Sequence, residues 1–376
     1  MKKIIFFTNI FPEYRLAIWK GLINSEAFNL EIYFSQKNPL GIYSPKLEDV
    51  FTEHEILKLH LIKNYWLKKK VLIWQSKIIN IVLFSHFDYL LLLGEMNVVS
   101  SWISIFIAKL RGKKIYMWSH GIYGNENVFK KYLRLLFLKQ SDFIFLYEER
   151  AKSLLKQNGF KEKTLAVVYN SLNFEVFQTL YQGLLSTSKN EFITFFKNNN
   201  LPTIIFVGRL TKIKKLNLLI DSLRKLNQVK TRYNLLVIGS GEDQMYLENI
   251  NNYLIDQGWL HFYGECYDNN KTSKLIYHSD LCVSPGNVGL TAIHSLSFGT
   301  PVASHYNFNN QMPEVEAIID GENGFLFKEN NSNDLANKID NWFFQNPKID
   351  KNLIRKVVIE KYNPENQMII FNKHFS

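Results

Sequence analysis

Cysteine is scarce in this chain of 376 residues, which contains only Cys266 and Cys282. Two cysteines are too few for a disulfide framework, and these two lack the paired spacing and neighbouring histidines of a zinc site. We interpret both as buried free thiols in a reducing compartment, which is typical of a cytoplasmic protein.

Long hydrophobic runs are also lacking. The strongest runs, Ile78–Phe84, Tyr89–Leu93 and Trp102–Ala108, fall far short of the roughly 18 to 20 residues that a membrane-spanning helix needs. The apolar N-terminus is interrupted from Asn9 onward, before the hydrophobic region of a secretory signal peptide would be complete. The sequence therefore predicts a protein that is soluble or bound to a membrane surface.

Hydrophobic residues make up 46% of the chain, aromatic residues 15% and charged residues 21%. This composition can fill a large core and excludes global disorder. Because the length exceeds the usual limit of one hydrophobic core, we expect two domains.

Acidic residues are few in the first half of the chain. Residues 1–180 contain 25 Lys and Arg against 15 Asp and Glu, a net charge of +10, whereas residues 181–376 contain 20 against 19. Much of the excess falls in Lys63–Lys70 and Phe129–Lys139, where cations are interleaved with aromatic and aliphatic residues. The second segment can form a basic amphipathic helix suited to an anionic membrane, and a packed helix with a solvated lysine face is the alternative. Without a helix-turn-helix, zinc-finger or RNP-type pattern, we expect no nucleic-acid partner.

Short apolar segments alternate with helical periodicity, which indicates an α/β protein with parallel sheets. The predicted strands of the first half are Lys2–Thr8, Leu30–Phe34, Tyr89–Leu93, Ile115–Trp118, Phe143–Tyr147 and Leu165–Tyr169. Those of the second half are Thr203–Val207, Asn234–Ile238, Leu260–Tyr263, Leu281–Ser284 and Pro301–Ser304. We predict an N-terminal domain at 1–177, a linker at 178–202, a C-terminal domain at 203–357, and a helix at 358–376 that returns to the N-terminal domain.

The segment Gly208–Lys214 follows a predicted strand and precedes a helix. The guanidinium of Arg209 can bind two phosphate oxygens and the ammonium of Lys214 can neutralise the remaining charge, next to backbone N–H groups at a helix start. This pattern predicts a diphosphate site. The spacing alone also fits two solvated cations at a helix entrance.

A second glycine turn, Ser284–Gly289, leads into a predicted helix at 289–298. Gly289 would let a phosphate approach the unpaired N–H groups of the first helical turn. His294 lies on the same helix. A lone helical histidine is more often a core residue than a ligand contact, so both roles stay open.

These segments together resemble the donor domain of retaining, family-4 type glycosyltransferases of the GT-B fold (glycosyl transferases group 1). The family pairs a Gly-Arg-Leu…Lys loop with a Gly-Leu…Glu-Ala…Gly-x-Pro-Val helix, which correspond here to Gly208–Lys214 and Gly289–Val302. Matching blocks across about 201–330 are Leu236–Gly241, Phe262–Gly264, Ser279–Pro285 and Gly321–Phe327. In the first half, Trp118–Gly121 and Tyr169–Asn173 resemble the family's His-Gly loop and its domain-joining segment.

The resemblance implies two doubly wound Rossmann-like domains facing a cleft, and a nucleotide-diphosphate sugar as donor. Arg209 and Lys214 would stabilise the leaving diphosphate in place of a metal, so we expect no metal and no cofactor. His120, in the His-Gly loop, would orient the reacting sugar or acceptor, with a structural histidine as the alternative. The implied donor-binding residues are Gly208, Arg209, Lys214, Gly264, Val288, Gly289, Leu290 and His294.

Acceptor contacts are expected in loops of the first half, with Asn9, Arg15 and Glu95 as candidates. Arg15 could hold a phosphate of the acceptor, and a solvated arginine is the alternative.

The sequence departs from the family at two glutamates that are usually eight residues apart. Counting back from Gly289, these positions are Gly286 and His294 here, so both carboxylates are missing. His294 could still hydrogen-bond a ribose hydroxyl, whereas Gly286 leaves the sugar contact to another group. Glu314 and Glu316 are candidates for that contact, and a surface location is the alternative.

The resemblance therefore predicts a retaining, metal-independent glycosyltransferase of the hexosyltransferase type. It would move a sugar to a lipid-linked or surface glycan, as in bacterial-type polysaccharide, O-antigen, capsule or lipopolysaccharide assembly. We expect it in the cytoplasm, peripheral on the inner face of the cell membrane. The alternatives are a catalytically inactive glycosyltransferase-like partner protein, motivated by the missing carboxylates, and a UDP-sugar epimerase of the GT-B fold.

Overall fold

The computed structural model describes residues 1–37, 39, 43–67 and 71–375. Lys68, Lys69 and Lys70 of the first predicted basic segment lie outside the described residues. The chain divides into two compact units, the first being Met1–Asn173 with Asn363–Ser376 and the second Phe174–Tyr362.

Each unit is built on a parallel sheet. The strands of the first unit are β1 (Lys2–Phe7), β2 (Phe28–Phe34), β3 (Leu59–Leu61), β4 (Asn64–Leu67), β5 (Leu72–Gln75), β6 (Tyr89–Leu93), β7 (Lys114–Ser119), β8 (Phe143–Leu146) and β9 (Leu165–Val167). Those of the second unit are β10 (Thr203–Val207), β11 (Asn234–Ile238), β12 (Leu260–Gly264), β13 (Leu281–Val283), β14 (Val302–His305) and β15 (Gly324–Phe327).

The helices follow the strands in alternation. The first unit contains α1 (Leu16–Ile23), α2 (Glu53–Ile56), α3 (Ile78–Phe84), α4 (Val99–Leu110), α5 (Val128–Leu138) and α6 (Glu149–Gln157). The second unit contains α7 (Phe174–Leu184), α8 (Lys189–Phe192), α9 (Leu216–Leu226), α10 (Gln244–Ile250), α11 (Asn252–Gln257), α12 (Asn269–Tyr277), α13 (Thr291–Ser297), α14 (Ser332–Gln345) and α15 (Lys351–Glu360), and α16 (Pro364–Phe375) returns to the first unit. No helix in the described ranges is both long and apolar enough to cross a membrane.

The strand orders are β3-β2-β1-β6-β7-β8-β9 in the first unit and β12-β11-β10-β13-β14-β15 in the second. All described pairs within these two sheets are parallel, whereas β4 and β5 form a separate antiparallel hairpin. Central strands such as β8 and β11 are buried along their whole length, which explains their continuous apolar sequences. The predicted α/β class with parallel sheets is confirmed.

Helices cover both faces of the first sheet. One core lies under α1 and α16, and the other lies under α3, α4, α5 and α6. In α16, the Phe371 ring lies 5.1 Å from Trp118 and 4.6 Å from Phe145 between centroids. The C-terminal helix is therefore an integral part of the first unit.

Every predicted strand is present within two residues of its predicted ends. The predicted linker at 178–202 is different in the structure, because it contains the end of α7 and all of α8 and belongs to the second unit. Phe177 and Tyr181 of α7 are buried there. The segment resembles a linker in sequence because its second half is polar. The boundaries between the units lie instead between Asn173 and Phe174 and between Tyr362 and Asn363.

Candidate functional site

Two loops of the second unit lie side by side where its strand order reverses. β10 is flanked by β11 on one side and by β13 on the other. The loop after β10 contains Gly208–Lys214, and the loop after β13 contains Ser284–Gly289. Ligands of open α/β sheets bind at such a switch point, beyond the carboxyl ends of the strands. The two sequence motifs therefore meet where a ligand is expected.

Direct contacts join these loops. The Lys214 Nζ donates a hydrogen bond to the carbonyl of Asn287 at 2.7 Å, and the N–H of Gly286 donates to the carbonyl of Lys214 at 3.1 Å. A Cβ atom on Gly286 would lie 2.0 Å from the carbonyl oxygen of Ile213. Position 286, where the family usually has a glutamate, thus has no room for a side chain in this arrangement.

The loop after β11 is held equally close. Gly239 has a φ of 139°, and a Cβ atom there would lie 1.9 Å from the carbonyl oxygen of Gly208. The N–H of Gly239 donates to the carbonyl of Gly264 at 2.8 Å. Gly208 and Gly264, both predicted donor contacts, therefore belong to one rim of loops at this edge of the sheet.

Positive charge is concentrated in this rim. Arg209 is exposed and Lys214 is partly buried. Burial lowers the pKa of Lys214, the carboxylate of Glu314 opposes this, and the like charge of Arg209 lowers the pKa further. An anion bound between the two cations would relieve their repulsion, so the rim is suited to a diphosphate.

Gln311 fixes the turn before α13. Its amide oxygen accepts from the N–H of Val288 at 2.8 Å, and its amide nitrogen donates to Ser304 Oγ at 2.8 Å and to the carbonyl of His305 at 2.9 Å. The N–H of Val288, predicted to face the donor, is thus already bonded within the protein. No pattern in the sequence marks Gln311, because its bond to the turn joins it to Val288, 23 residues earlier in the chain.

Gly289 and Leu290 lie between this fixed turn and α13, which begins at Thr291 rather than at 289. Nothing lies within 4 Å of the position that a Cβ on Gly289 would take. This part of the turn is the open approach to the predicted phosphate contacts.

His294 packs inside the second unit. Its ring stacks on Phe177 with centroids 4.6 Å apart, and its Nε2 lies 3.1 Å from Ser273 Oγ. Burial lowers the pKa of His294 to about 4, so the imidazole is neutral near pH 7. These contacts match the core role left open by the sequence, and the ribose contact stays a prediction.

Glu314 is only 3% exposed, so the alternative of a surface position does not apply to it. It lies in a 3-10 turn at Pro313–Ala317 and is close enough to Lys214 to affect that pKa. Glu316 in the same turn is partly exposed. Within the described ranges, no three His, Cys, Asp or Glu side chains are grouped so that they could hold a metal ion.

The first unit has its own switch point, between β1 and β6. Asn9 follows β1 and Glu95 follows β6, and the Asn9 Nδ2 donates to Glu95 Oε2 at 2.5 Å. Two hydrogen bonds join the β4–β5 hairpin to this edge. The Asn64 Nδ2 donates to the carbonyl of Asn9 at 2.7 Å, and the Gln75 Nε2 donates to the carbonyl of Thr8 at 3.2 Å. Burial raises the pKa of the Glu95 carboxyl.

Arg15 is held among aromatic rings at the start of α1. Its Nη2 donates to the Tyr147 hydroxyl at 2.7 Å, and its guanidinium carbon lies 5.1 Å from the centroid of Trp118. Burial raises the pKa of Tyr147 to about 12, so the hydroxyl stays protonated. Tyr147 was not among the predicted site residues, because a tyrosine at the end of a predicted strand resembles ordinary core.

His120 follows β7, and its ring centroid lies 4.4 Å from that of Tyr147. Its Nδ1 is shielded from solvent and has no hydrogen-bond partner among the described residues. Burial, together with the charges of Arg15 and Arg134, lowers the pKa of His120 to about 3. The predicted catalytic histidine and the three predicted acceptor contacts thus share one edge of the first sheet.

The second predicted basic segment forms α5, but not all of its cations face solvent. Arg134 forms an ion pair with Glu126 at 3.1 Å, and its guanidinium carbon lies 4.9 Å from the Tyr123 ring centroid. Only 17% of the Arg134 side chain is exposed. Arg134 therefore does not belong to a solvated basic face, whereas Lys130 is exposed.

Comparisons with known proteins agree with this architecture. Residues 188–357 match the family described as Glycosyl transferases group 1. An uncharacterized glycosyltransferase of Methanocaldococcus jannaschii is 25% identical over 370 residues, covering 88% of this chain and 87% of the relative. HepE of Anabaena in complex with UDP has a TM-score of 0.71 at 13% identity, covering 100% of this chain and 99% of that chain. The lipopolysaccharide outer core galactosyltransferase WaaB has a TM-score of 0.70 at 15% identity, covering 99% of both chains.

The family match contains both loops of the second switch point, and the solved structures share the fold of the whole chain. The chain therefore has the GT-B fold of two Rossmann-like domains, and its residues 188–357 are similar to the glycosyl transferases group 1 family.

Proposed function

We propose that this protein is a hexosyltransferase that uses a nucleotide-diphosphate sugar, bound by the loops after β10 and β13. The observation that carries the proposal is the contact between these loops at the switch point, which presents Arg209 and Lys214 beside the open position of Gly289. The UDP complex of HepE, a protein of similar fold, supports a UDP-linked donor.

In the proposed reaction, the acceptor oxygen bonds to the anomeric carbon of the sugar while the bond from that carbon to the diphosphate breaks. The proton of the acceptor hydroxyl passes to the leaving diphosphate. Negative charge develops on the diphosphate as its bond to the anomeric carbon breaks. Arg209 and Lys214 would stabilise this charge more strongly in the transition state than in the bound substrate. A bound anion would also favour the protonated form of Lys214.

The acceptor is assigned to the edge of the first sheet that carries Asn9, Arg15, Glu95 and His120. The aromatic rings and Tyr147 fix the guanidinium of Arg15, which suits it to a phosphate of a lipid-linked acceptor. Because its pKa is about 3, the imidazole of His120 is neutral near pH 7 and would hydrogen-bond a sugar hydroxyl rather than act as an acid.

The acceptor we favour is a lipid-linked or surface glycan, as in bacterial-type polysaccharide assembly. The similarity of fold to a lipopolysaccharide outer core galactosyltransferase supports this class. The positive charge of residues 1–180 supports a site of action at the inner face of the cell membrane, reached from the cytoplasm.

The donor assignment is tested by thermal unfolding with UDP, GDP, CMP and their sugar conjugates. A nucleotide present at about 100 times its Kd should stabilise the protein by about 2.7 kcal/mol. We expect a rise in Tm with one base, and a smaller rise in the Arg209→Ala variant. A Tm that no nucleotide changes would contradict the donor site.

The resemblance of the motifs supports transfer with retention of anomeric configuration. The measurement is the anomeric configuration of the product by NMR, compared with that of the donor sugar. A product with the opposite configuration would exclude retention while leaving the donor site intact.

A second candidate function is a catalytically inactive partner protein. Two observations favour it, because Gly286 has no room for a carboxylate and His294 packs against Phe177. Nucleotide binding without turnover of any sugar conjugate, with all tested acceptors, would support this candidate over the transferase.

A further inference from the structure

Helix α4 buries three serines beside Ile105 and Ala108 and leaves larger apolar side chains exposed. Ser100, Ser101 and Ser104 are buried, with Ser100 Oγ accepting from the N–H of Gln75 at 3.0 Å and Ser104 Oγ donating to the carbonyl of Ser100 at 2.9 Å. The opposite side exposes Val99, Ile103, Phe106 and Leu110. A surface helix of a globular protein normally buries its apolar side, so this exposed stripe requires a partner.

The neighbouring helices extend the stripe. α3 and α5 cover the same core as α4, and the ring of Trp102 on α4 lies 4.8 Å from that of Phe137 on α5. Large apolar side chains are exposed on all three helices. We call this surface the helical apolar face: Leu83, Phe84, Val99, Ile103, Phe106, Leu110, Val128, Phe129, Tyr132 and Leu136.

Positive charge borders the helical apolar face. None of the three helices contains an aspartate or glutamate. Where α4 and α5 end, an open pocket of about 410 Å³ is lined by Lys109, Lys113, Lys114 and Lys139. Asp142, which also lines it, pairs with Lys114 at 3.1 Å and leaves the pocket with a net positive charge.

We propose that the helical apolar face docks on an anionic lipid bilayer, with its side chains at the boundary of headgroups and acyl chains and the lysine pocket against lipid phosphates. Charge complementarity selects this occupant, because a second copy of the face would bring the same positive charge and no carboxylate. The lysine stems can lie along the apolar surface while their ammonium groups reach the phosphates. This inference rests on the proposed function in one respect: docking would bring the enzyme to a membrane-linked acceptor.

Cosedimentation with vesicles tests the proposal on the full chain. We expect binding to vesicles of phosphatidylglycerol and phosphatidylcholine, and binding at least about tenfold weaker to phosphatidylcholine alone or at high salt. The double variant Phe106→Ser with Leu110→Ser should bind the anionic vesicles about tenfold or more weakly. Phe344→Ser is the matched control, since Phe344 is an exposed aromatic residue of α14 in the second unit and should leave binding unchanged.

Three results would overturn the proposal. The first two are no binding of the wild-type protein to anionic vesicles, and a double variant that binds them like wild type. The third is a wild-type dimer in light scattering that becomes a monomer in the double variant. The last result would assign the face to a second copy of the chain. Because both substituted residues are exposed, the Tm of the variant should match wild type, and a second pair, Phe129→Ser with Tyr132→Ser, repeats the test on α5.

Nucleotide binding, measured on the same samples, separates this inference from the proposed function. Vesicle binding without a nucleotide-induced rise in Tm would contradict the transferase and leave docking supported. A nucleotide-induced rise without vesicle binding would contradict docking alone.

Discussion

Arg209 and Lys214 belong to the same loop but differ in their surroundings. Arg209 is exposed, whereas Lys214 is partly buried and donates a hydrogen bond to the carbonyl of Asn287. Lys214 therefore both carries charge and holds the turn that leads to Gly289. The predicted donor site thus depends on the hydrogen bond that fixes Lys214 as well as on its charge.

Replacing either cation should reduce turnover. We expect Arg209→Ala and Lys214→Ala each to lower kcat/KM by roughly 100-fold or more, because each removes stabilisation of the leaving diphosphate. Lys212→Ala, an exposed lysine in the same loop, is the control and should retain wild-type rates. Wild-type turnover in both test variants would remove the diphosphate assignment.

Two glycines in one turn should respond oppositely to the same substitution. Gly286→Ala should destabilise the protein by about 1–3 kcal/mol, because its Cβ would meet the carbonyl oxygen of Ile213. Gly289→Ala has space and should leave the urea midpoint unchanged while weakening nucleotide binding. Equal stability of the two variants would show that the loops do not approach as closely as described.

Among the elements, α16 shows how a segment distant in sequence completes a core. It is separated from the rest of the first unit by the whole second unit, yet its aromatic rings pack on strands β7 and β8. Phe375 adds contacts with Phe28 and Tyr116. The first unit therefore depends on the last residues of the chain.

Removing one α16 side chain should measure this dependence. Phe371→Ala should lower the free energy of unfolding by about 3–5 kcal/mol, since the fully buried ring leaves a cavity. Ile369→Ala changes an exposed residue of the same helix and should have little effect. Urea unfolding of both variants checks this, and similar midpoints would mean that α16 contributes little to the core.

For the whole molecule, three histidines with a lowered pKa couple stability to pH. Burial lowers the pKa of His120 to about 3 and those of His278 and His294 to about 4. In the unfolded chain they would titrate near 6.5, so the unfolded state binds more protons below that pH. Stability should therefore fall as the pH drops from 6.5 toward 4.

The variant His294→Gln should lose less stability than wild type between pH 7 and pH 5, by about 2 kcal/mol. Carboxylates with a lowered pKa, such as Glu31 at about 2, act below about pH 4.5, and Glu95, whose pKa burial raises, contributes equally to both proteins. The measurement is urea unfolding at both pH values. Equal losses in the two proteins would mean that His294 titrates normally in the folded state.

Metal independence is a second prediction for the molecule as an enzyme. If Arg209 and Lys214 neutralise the leaving diphosphate, turnover should persist after dialysis against EDTA. A matched sample with added Mg²⁺ is the control and should show the same rate within about twofold. Loss of all turnover in EDTA, restored by a divalent cation, would contradict this role of the two cations.

The α/β class, the positions of eleven of the fifteen described strands and the two glycine loops of the second unit follow from the sequence alone. These features depend on local periodicity and on turn chemistry, which a few consecutive residues contain. The sequence also predicted Asn9, Glu95 and His120, because ligands of parallel sheets bind after the strand ends.

Which polar groups remain available and which helix sides face outward depends on tertiary packing. The exclusion of a side chain at Gly286, the use of the Val288 N–H by Gln311 and the pairing of Arg134 with Glu126 all join residues that local patterns do not connect. Helix α4 has apolar residues on more than one side, so its periodicity left its orientation open. Packing buried Ile105 and Ala108 together with the serines, of which Ser100 bonds to Gln75 of the hairpin, and left Ile103, Phe106 and Leu110 exposed.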